Sequence, residues 1–89
     1  MPSLANFSGM LFRMNWEDVG QHNIPHFHVF YQGYEAVFDF DGNLLAGHLP
    51  KSKSKSAKSW AKRNKVRLEE KWYFAVNKIN TDFRIGPFS

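Results

Sequence analysis

The chain has 89 residues, of which 43% are hydrophobic, 17% aromatic and 22% charged, and its net charge is +4. This length predicts a single domain over residues 1–89, and the composition excludes a disordered chain, a collagen-like repeat and a coiled coil. The absence of cysteine excludes a disulfide framework and a thiol nucleophile. Because there is neither an apolar run of about 18 residues nor a signal-peptide pattern, we expect a cytoplasmic protein with no membrane partner.

The first half of the chain alternates apolar and polar residues with the period of two that is typical of β-strands. This alternation runs through residues 10–16, 26–31 and 35–40, and residues 44–49, which precede Pro50, are predicted as a fourth short strand. Asp-Gly-Asn at 41–43 is the strongest hairpin signal, because these residues adopt a positive φ at little cost. The pattern predicts an antiparallel meander of four strands.

In the second half the apolar residues recur every three or four positions, which is the spacing of an amphipathic helix. Trp60 and Trp72 both belong to this apolar stripe, and we expect them to hold the helix on the sheet. Asn64 is the one polar residue within this apolar stripe. The spacing predicts one long helix over about 57–77.

The predicted fold is α+β, with the four-stranded antiparallel meander covered on one face by the long C-terminal amphipathic helix. The sheet occupies about 9–49 and the helix about 57–77. The Ser/Lys alternation before the helix has no apolar residue, so residues 50–56 are predicted as a basic, solvated linker. Residues 78–89 form a tail.

The segment with three histidines at 22–28 most resembles a catalytic or metal-binding site. On a strand His26 and His28 project from the same face, and His22 can reach them from the preceding loop. Three converging imidazoles would suit a divalent transition metal such as zinc, nickel or copper.

Hairpin parity brings a carboxylate to the same face. If residues 32–33 form the loop, His26 faces Asp39, and if residues 33–34 form it, His28 faces Asp39. A carboxylate beside an imidazole fixes its tautomer and suits acid–base catalysis. The competing interpretation is that His26 and His28 are simply polar residues on the sheet face turned away from the core.

The positive charge is concentrated in one stretch. Residues 51–71 carry a net charge of +7, and the remainder of the chain carries −3. Such a stretch suits contacts with nucleic-acid phosphates, although a lysine-rich helix face can also be simply solvated. Tyr31, Tyr34 and Phe30, near the predicted hairpin tip, are better candidates for exposed stacking rings than Trp60 and Trp72. The candidate nucleic-acid-binding residues are Lys51, Lys53, Lys55, Lys58, Lys62, Arg63 and Lys65.

Several motifs together resemble a family of small bacterial proteins catalogued as domain of unknown function 4160. They are Gly9 before the first strand, His-Asn-Ile-Pro-His-Phe-His-Val at 22–29, Tyr-Glu-Ala-Val at 34–37, Gly-His-Leu-Pro at 47–50 and Ile-Gly-Pro-Phe at 85–88. The resemblance implies no activity. It does imply a partner, because members are often encoded beside a second small protein in an arrangement similar to a toxin–antitoxin pair.

From these observations we expect a toxin–antitoxin-like protein that binds a partner protein encoded nearby and binds RNA or DNA. The catalytic hypothesis is a histidine-dependent RNase without a cofactor, which uses His22, His26, His28 and Asp39. One alternative is a metal-binding protein in which His22, His26 and His28 are the ligands. Another is a non-catalytic accessory protein that pairs through a strand edge.

Overall fold

The computed structural model describes residues 3–14, 24–77, 79 and 82–86. Seven elements follow one another along the chain. They are β1 (Ser3–Phe7), β2 (Met10–Arg13), β3 (His26–Tyr31), β4 (Tyr34–Asp39), β5 (Leu44–Gly47), α1 (Lys51–Arg63) and α2 (Lys65–Val76).

The five strands form one antiparallel sheet in the order β1-β2-β3-β4-β5. This confirms the predicted α+β class and the meander. The turn at 41–43 is also confirmed, since Gly42 adopts a φ of +87° between β4 and β5. The sheet has one strand more than the four that the sequence predicts.

The additional strand is β1, which forms a hairpin with β2 through Ser8 and Gly9, both at positive φ. The register shifts between Ser3 and Ala5, so that the consecutive residues Leu4 and Ala5 are both buried. A bulge of this kind interrupts the period of two. The alternation that revealed β2, β3 and β4 is therefore missing from β1.

The core forms between the sheet and α1. The ring of Trp60 is fully buried, with its centroid 4.5 Å from that of Phe12 and 5.4 Å from that of Phe27. Its indole Nε1 donates a hydrogen bond of 2.8 Å to the carbonyl of Gly86. One side chain thus joins the helix, the centre of the sheet and the C-terminal segment.

The C-terminal segment 82–86 also attaches to the first strand. The backbone N–H groups of Ile85 and Gly86 donate hydrogen bonds of 2.7 and 3.0 Å to the carbonyl of Leu4. Ile85 is buried in the same core as Leu4. This segment therefore covers part of the backbone at the β1 side of the sheet.

The helical region begins earlier than predicted. Residues 51–56, predicted as part of a linker, form the first half of α1, which starts directly after Pro50. Lysine is a good helix former, and proline before a helix has a compatible φ. Packing of Ala57 and Trp60 on the sheet then stabilises the turns that precede them.

The predicted single helix is divided in two at Asn64. Its backbone N–H is shared between the carbonyls of Trp60 and Ala61, and its Nδ2 donates a hydrogen bond of 2.9 Å to Trp60. A side-chain amide that competes for backbone carbonyls favours a helix end. Neither α1 nor α2 is long and apolar enough to cross a membrane.

The turn between β4 and β5 is organised by Asp39. Its Oδ1 accepts hydrogen bonds from the backbone N–H groups of Asp41 and Asn43 at 2.9 and 2.8 Å, and its Oδ2 accepts one from Asn43 Nδ2 at 2.9 Å. Gly42 then lies against α1, where a Cβ would meet the carbonyl oxygen of Lys58 at 3.3 Å. The turn thereby packs directly against the helix backbone.

Trp60→Ala is expected to lower the free energy of unfolding by about 3–5 kcal/mol, because it removes a fully buried aromatic side chain. Trp60→Phe should lower the free energy of unfolding by less, because it keeps an aromatic ring in the core. Its remaining cost comes mainly from the lost hydrogen bond to Gly86. Tyr73→Ala, at an exposed helix position, is the matched control and should change stability by about 0.5 kcal/mol or less. Denaturant unfolding followed by circular dichroism measures all three; an equal effect of Trp60→Ala and Tyr73→Ala would contradict the prediction.

Asp39→Ala is expected to lower the free energy of unfolding by about 1–2 kcal/mol, because three hydrogen bonds of the turn lose their acceptor. Asp39→Asn is the control, since its amide oxygen can still accept from the two backbone N–H groups. Thermal or denaturant melts that give the same loss for both variants would show that the backbone contacts are not the stabilising ones.

Candidate functional site

The hairpin of β3 and β4 has the register in which residues 32–33 form the loop. His26 therefore lies opposite Asp39, and His28 lies opposite Val37. This confirms one of the two registers left open by the sequence. Both oxygens of Asp39 nevertheless accept hydrogen bonds within the turn, so the structure gives this carboxylate a role in holding the turn.

His26 is fully buried. Its Nδ1 lies 2.8 Å from the carbonyl oxygen of Ile24, and because a carbonyl only accepts, Nδ1 carries the proton. The ring lies 5.4 Å from that of His28 and 5.2 Å from that of Trp72, measured between centroids. Trp72 also contacts Phe40 at 6.1 Å, so α2 covers this end of β3.

His28 is paired with a carboxylate that the sequence interpretation did not single out. Its Nδ1 lies 3.1 Å from Oε2 of Glu35, and the two side chains are 8% and 54% exposed. Glu35 is diagonal to His28, because it lies two residues from Val37, the residue opposite His28. Diagonal neighbours are within reach of long side chains, so the register rule could have identified Glu35 once the loop was known.

Arg13 completes a row of polar side chains on this face, and we call this row of Arg13, His28 and Glu35 the polar row. It lies opposite His28 on the neighbouring strand β2. Its Nε is buried and donates no hydrogen bond within the described part of the chain. The face thus combines a cation, an imidazole and a half-exposed carboxylate on three adjacent strands.

The structure does not assemble the predicted metal site from the residues that it describes. Among residues 3–14, 24–77, 79 and 82–86, no three histidine, aspartate or glutamate side chains are grouped to hold a metal ion. His22 lies outside the described residues. The three-histidine site, and the catalytic role assigned to His22, therefore stay predictions.

The seven basic candidates separate into two groups. Four lysines form a stripe along α1, and we refer to them as the lysine stripe. They are Lys51, Lys55, Lys58 and Lys62. At 100° per residue, four positions spaced by four, three and four residues fall within an arc of about 60° and extend over about 16 Å. In the part of the chain that the structure describes, no hydrogen bond or ion pair involves the side chain of any of the four.

The other three basic candidates have intramolecular contacts. Lys53 donates a hydrogen bond of 3.0 Å to the carbonyl of Ser8, and Arg63 donates one of 3.2 Å to Oγ of Ser59. Lys65 forms an ion pair of 2.6 Å with Asp41. The carboxylate of Asp41 raises the pKa of Lys65, mainly by accepting its hydrogen bond and then by its charge.

The lysine stripe borders a groove of about 690 Å³ between α1 and the end of β5. Leu44, His48 and Leu49 form its sheet side, and Ser54 and Ser59 lie between the lysines on its helix side. Leu44 is 45% exposed and Leu49 is buried. The groove is therefore apolar at its base and cationic along its rim.

No curated protein and no solved structure matches this chain. A family profile matches residues 9–73, which run from the turn before β2 into α2 and contain the polar row and the lysine stripe. This match extends over most of the 89 residues. The chain belongs to the family described as "Domain of unknown function (DUF4160)".

Proposed function

We propose that this protein binds nucleic acid along the lysine stripe of α1. The observation that carries the proposal is the arrangement of four lysines without an intramolecular acidic partner among the described residues, beside a groove. Lysines that track one side of a groove suit a phosphate backbone, whose charges repeat along its length. Ser54 and Ser59 provide hydroxyl donors between them.

The energetics of α1 support an anionic ligand over a merely solvated face. The helix contains no acidic residue, and its N-terminus has no side-chain cap. Lysines near a helix N-terminus are unfavourable, because the helix dipole is positive there. Like charges spaced by four residues add a further penalty of about 0.2–0.5 kcal/mol per pair. An anion bound along the stripe would offset both penalties.

A second candidate function is RNA cleavage at the polar row, and the contact between His28 and Glu35 favours it. A carboxylate held by an imidazole suits proton abstraction from a ribose 2′-hydroxyl, and the neighbouring Arg13 suits a phosphate. The near-complete burial of His28 leaves Glu35 as the group that reaches solvent. The partner protein expected from the family resemblance stays a prediction beside both functions.

Binding to an oligonucleotide is expected to weaken steeply with salt. If all four lysines contact phosphates, the slope of log affinity against log salt should be about −3 to −4. Lys55→Gln combined with Lys58→Gln should reduce the size of this slope by about 1.5, because two phosphate contacts are lost. Fluorescence anisotropy at several salt concentrations measures the slope.

The matched control for this pair is Lys65→Gln combined with Arg67→Gln. It removes the same charge from α2, outside the stripe, and its lysine is already paired with Asp41. We expect this control to bind with the parent slope. Affinity independent of salt, or equal slopes for the two double variants, would rule out the lysine stripe as the binding surface.

Glu35→Gln is expected to reduce RNA cleavage by about 10²–10⁴-fold, because the neutral amide cannot take up a proton. The variant should retain the fold and the salt slope, since Glu35 is half exposed and lies outside the stripe. Labelled RNA analysed on a denaturing gel measures the rate. If the parent protein leaves RNA intact, cleavage at the polar row is excluded and the binding proposal is unaffected.

A further inference from the structure

Three rings form a continuous row across β3, β4 and the end of β5, and we call them the aromatic row. The centroid of Tyr31 lies 6.3 Å from that of Tyr34, with the rings stacked, and Tyr34 lies 5.9 Å from His48. Tyr31 and Tyr34 are directly opposite one another in the hairpin. The row therefore arises from strand pairing and not from neighbouring positions in the sequence.

The inner end of the row is held rigidly. Tyr31 packs against the core, and the Nζ of Lys53 lies 5.1 Å from its ring centroid. A Cβ on Gly9 would lie 3.2 Å from the Tyr31 ring, so the backbone of the β1–β2 turn also lies close to this side chain. The ring of Tyr34 stacks on this held ring of Tyr31.

The outer end of the row is open to solvent. Tyr34 is 42% exposed, and His48 is exposed as well. His48 is held beside the sheet, because its backbone N–H donates a hydrogen bond of 3.0 Å to the carbonyl of Glu35. Gly47 permits this approach, since a Cβ there would overlap the same carbonyl oxygen. Two polar-edged rings are thus presented on a fixed backbone.

The aromatic row adjoins the lysine stripe. His48 lines the groove together with Lys51, the first lysine of the stripe, which follows it by three residues. The surface therefore offers rings at one end and ammonium groups along its length. This combination of a cationic groove with stacking rings is typical of proteins that bind single-stranded nucleic acid.

We infer that the aromatic row is a base-stacking subsite and that the ligand of the groove is single-stranded RNA or DNA. The inference rests on the proposed function, because the lysine stripe must hold the backbone while a base stacks on Tyr34 and His48. A duplex keeps its bases stacked within the helix and cannot offer a base face to these rings. The row would therefore select single strands without reading a particular sequence.

The test compares an oligouridine and an oligothymidine of roughly 8 nucleotides with a duplex of similar length, a size within the range that small single-strand-binding domains cover. Tyr34→Ala should weaken binding of the single strands by about 5- to 150-fold, which corresponds to the loss of one stacked base. Tyr34→Phe keeps the ring and should bind as the parent does. Duplex affinity and the salt slope should be unchanged in both variants, because no phosphate contact is lost.

His48→Ala provides an independent measurement at a position outside the β-strands and should weaken single-strand binding in the same sense. Thermal melts of each variant establish that it is folded before binding is measured. If replacing the 2′-hydroxyl groups of the oligouridine by hydrogen weakens its binding, RNA is the preferred ligand.

The outcomes separate this inference from the proposed function. One outcome is salt-dependent binding that is weakened by Lys55→Gln combined with Lys58→Gln and is unchanged in Tyr34→Ala and His48→Ala. This result would overturn the base-stacking subsite and retain the lysine stripe. Tighter binding of the duplex than of both single strands would do the same. Absence of salt-dependent binding to every oligonucleotide would overturn both.

Discussion

The burial of Trp60 determines how the two halves of this protein meet. Its ring lies against Phe12 and Phe27 at the centre of the sheet, and its indole N–H is bonded to the carbonyl of Gly86. A helix is stiff, so fixing the direction of one side chain fixes the direction of all the others on α1. With Trp60 turned inward, the lysine stripe is turned toward solvent and toward the end of β5. The surface that we propose for nucleic acid is therefore a consequence of core packing.

The two faces of the sheet serve different purposes. The face that carries Phe27 packs against Trp60 of α1 and provides the apolar core, whereas the other face carries His28 and its partner Glu35. A buried imidazole is tolerated when its ring nitrogens are hydrogen-bonded, and the contact with Glu35 supplies one such bond. The same contact leaves a carboxylate at the surface in a fixed position. The pair of His28 and Glu35 thus satisfies the hydrogen-bonding need of a buried imidazole and also presents a carboxylate to solvent.

The proposed binding surface combines parts of the chain that are distant in sequence. The rings come from β3, β4 and the residue after β5, and the ammonium groups come from α1. The turn organised by Asp39 brings these parts together, because Gly42 packs directly against the backbone of Lys58. This explains why an aspartate opposite a histidine need not be catalytic. Its hydrogen bonds hold the turn whose Gly42 packs against α1.

The sequence by itself determined the features that depend on local periodicity and turn chemistry. Alternation placed β3 and β4, the Asp-Gly-Asn turn placed the hairpin after them, and matching of apolar faces limited the register to two choices. The recurrence of apolar residues every three or four positions predicted helical structure, and the charge count predicted a basic surface. Each of these follows from residues close together in the chain.

Only the tertiary structure decided the features that depend on contacts between distant residues. Strand β1 has a bulge and no alternation, so its pairing with β2 and with the segment at Ile85 reveals it. The first turns of α1 form because Trp60, further along the helix, is buried against the sheet. The contact between Glu35 and His28 likewise depends on strand register, and the rotation of the helices decides which lysines have acidic partners. A sequence pattern records which face a residue occupies, whereas the partner on that face is set by packing across the whole fold.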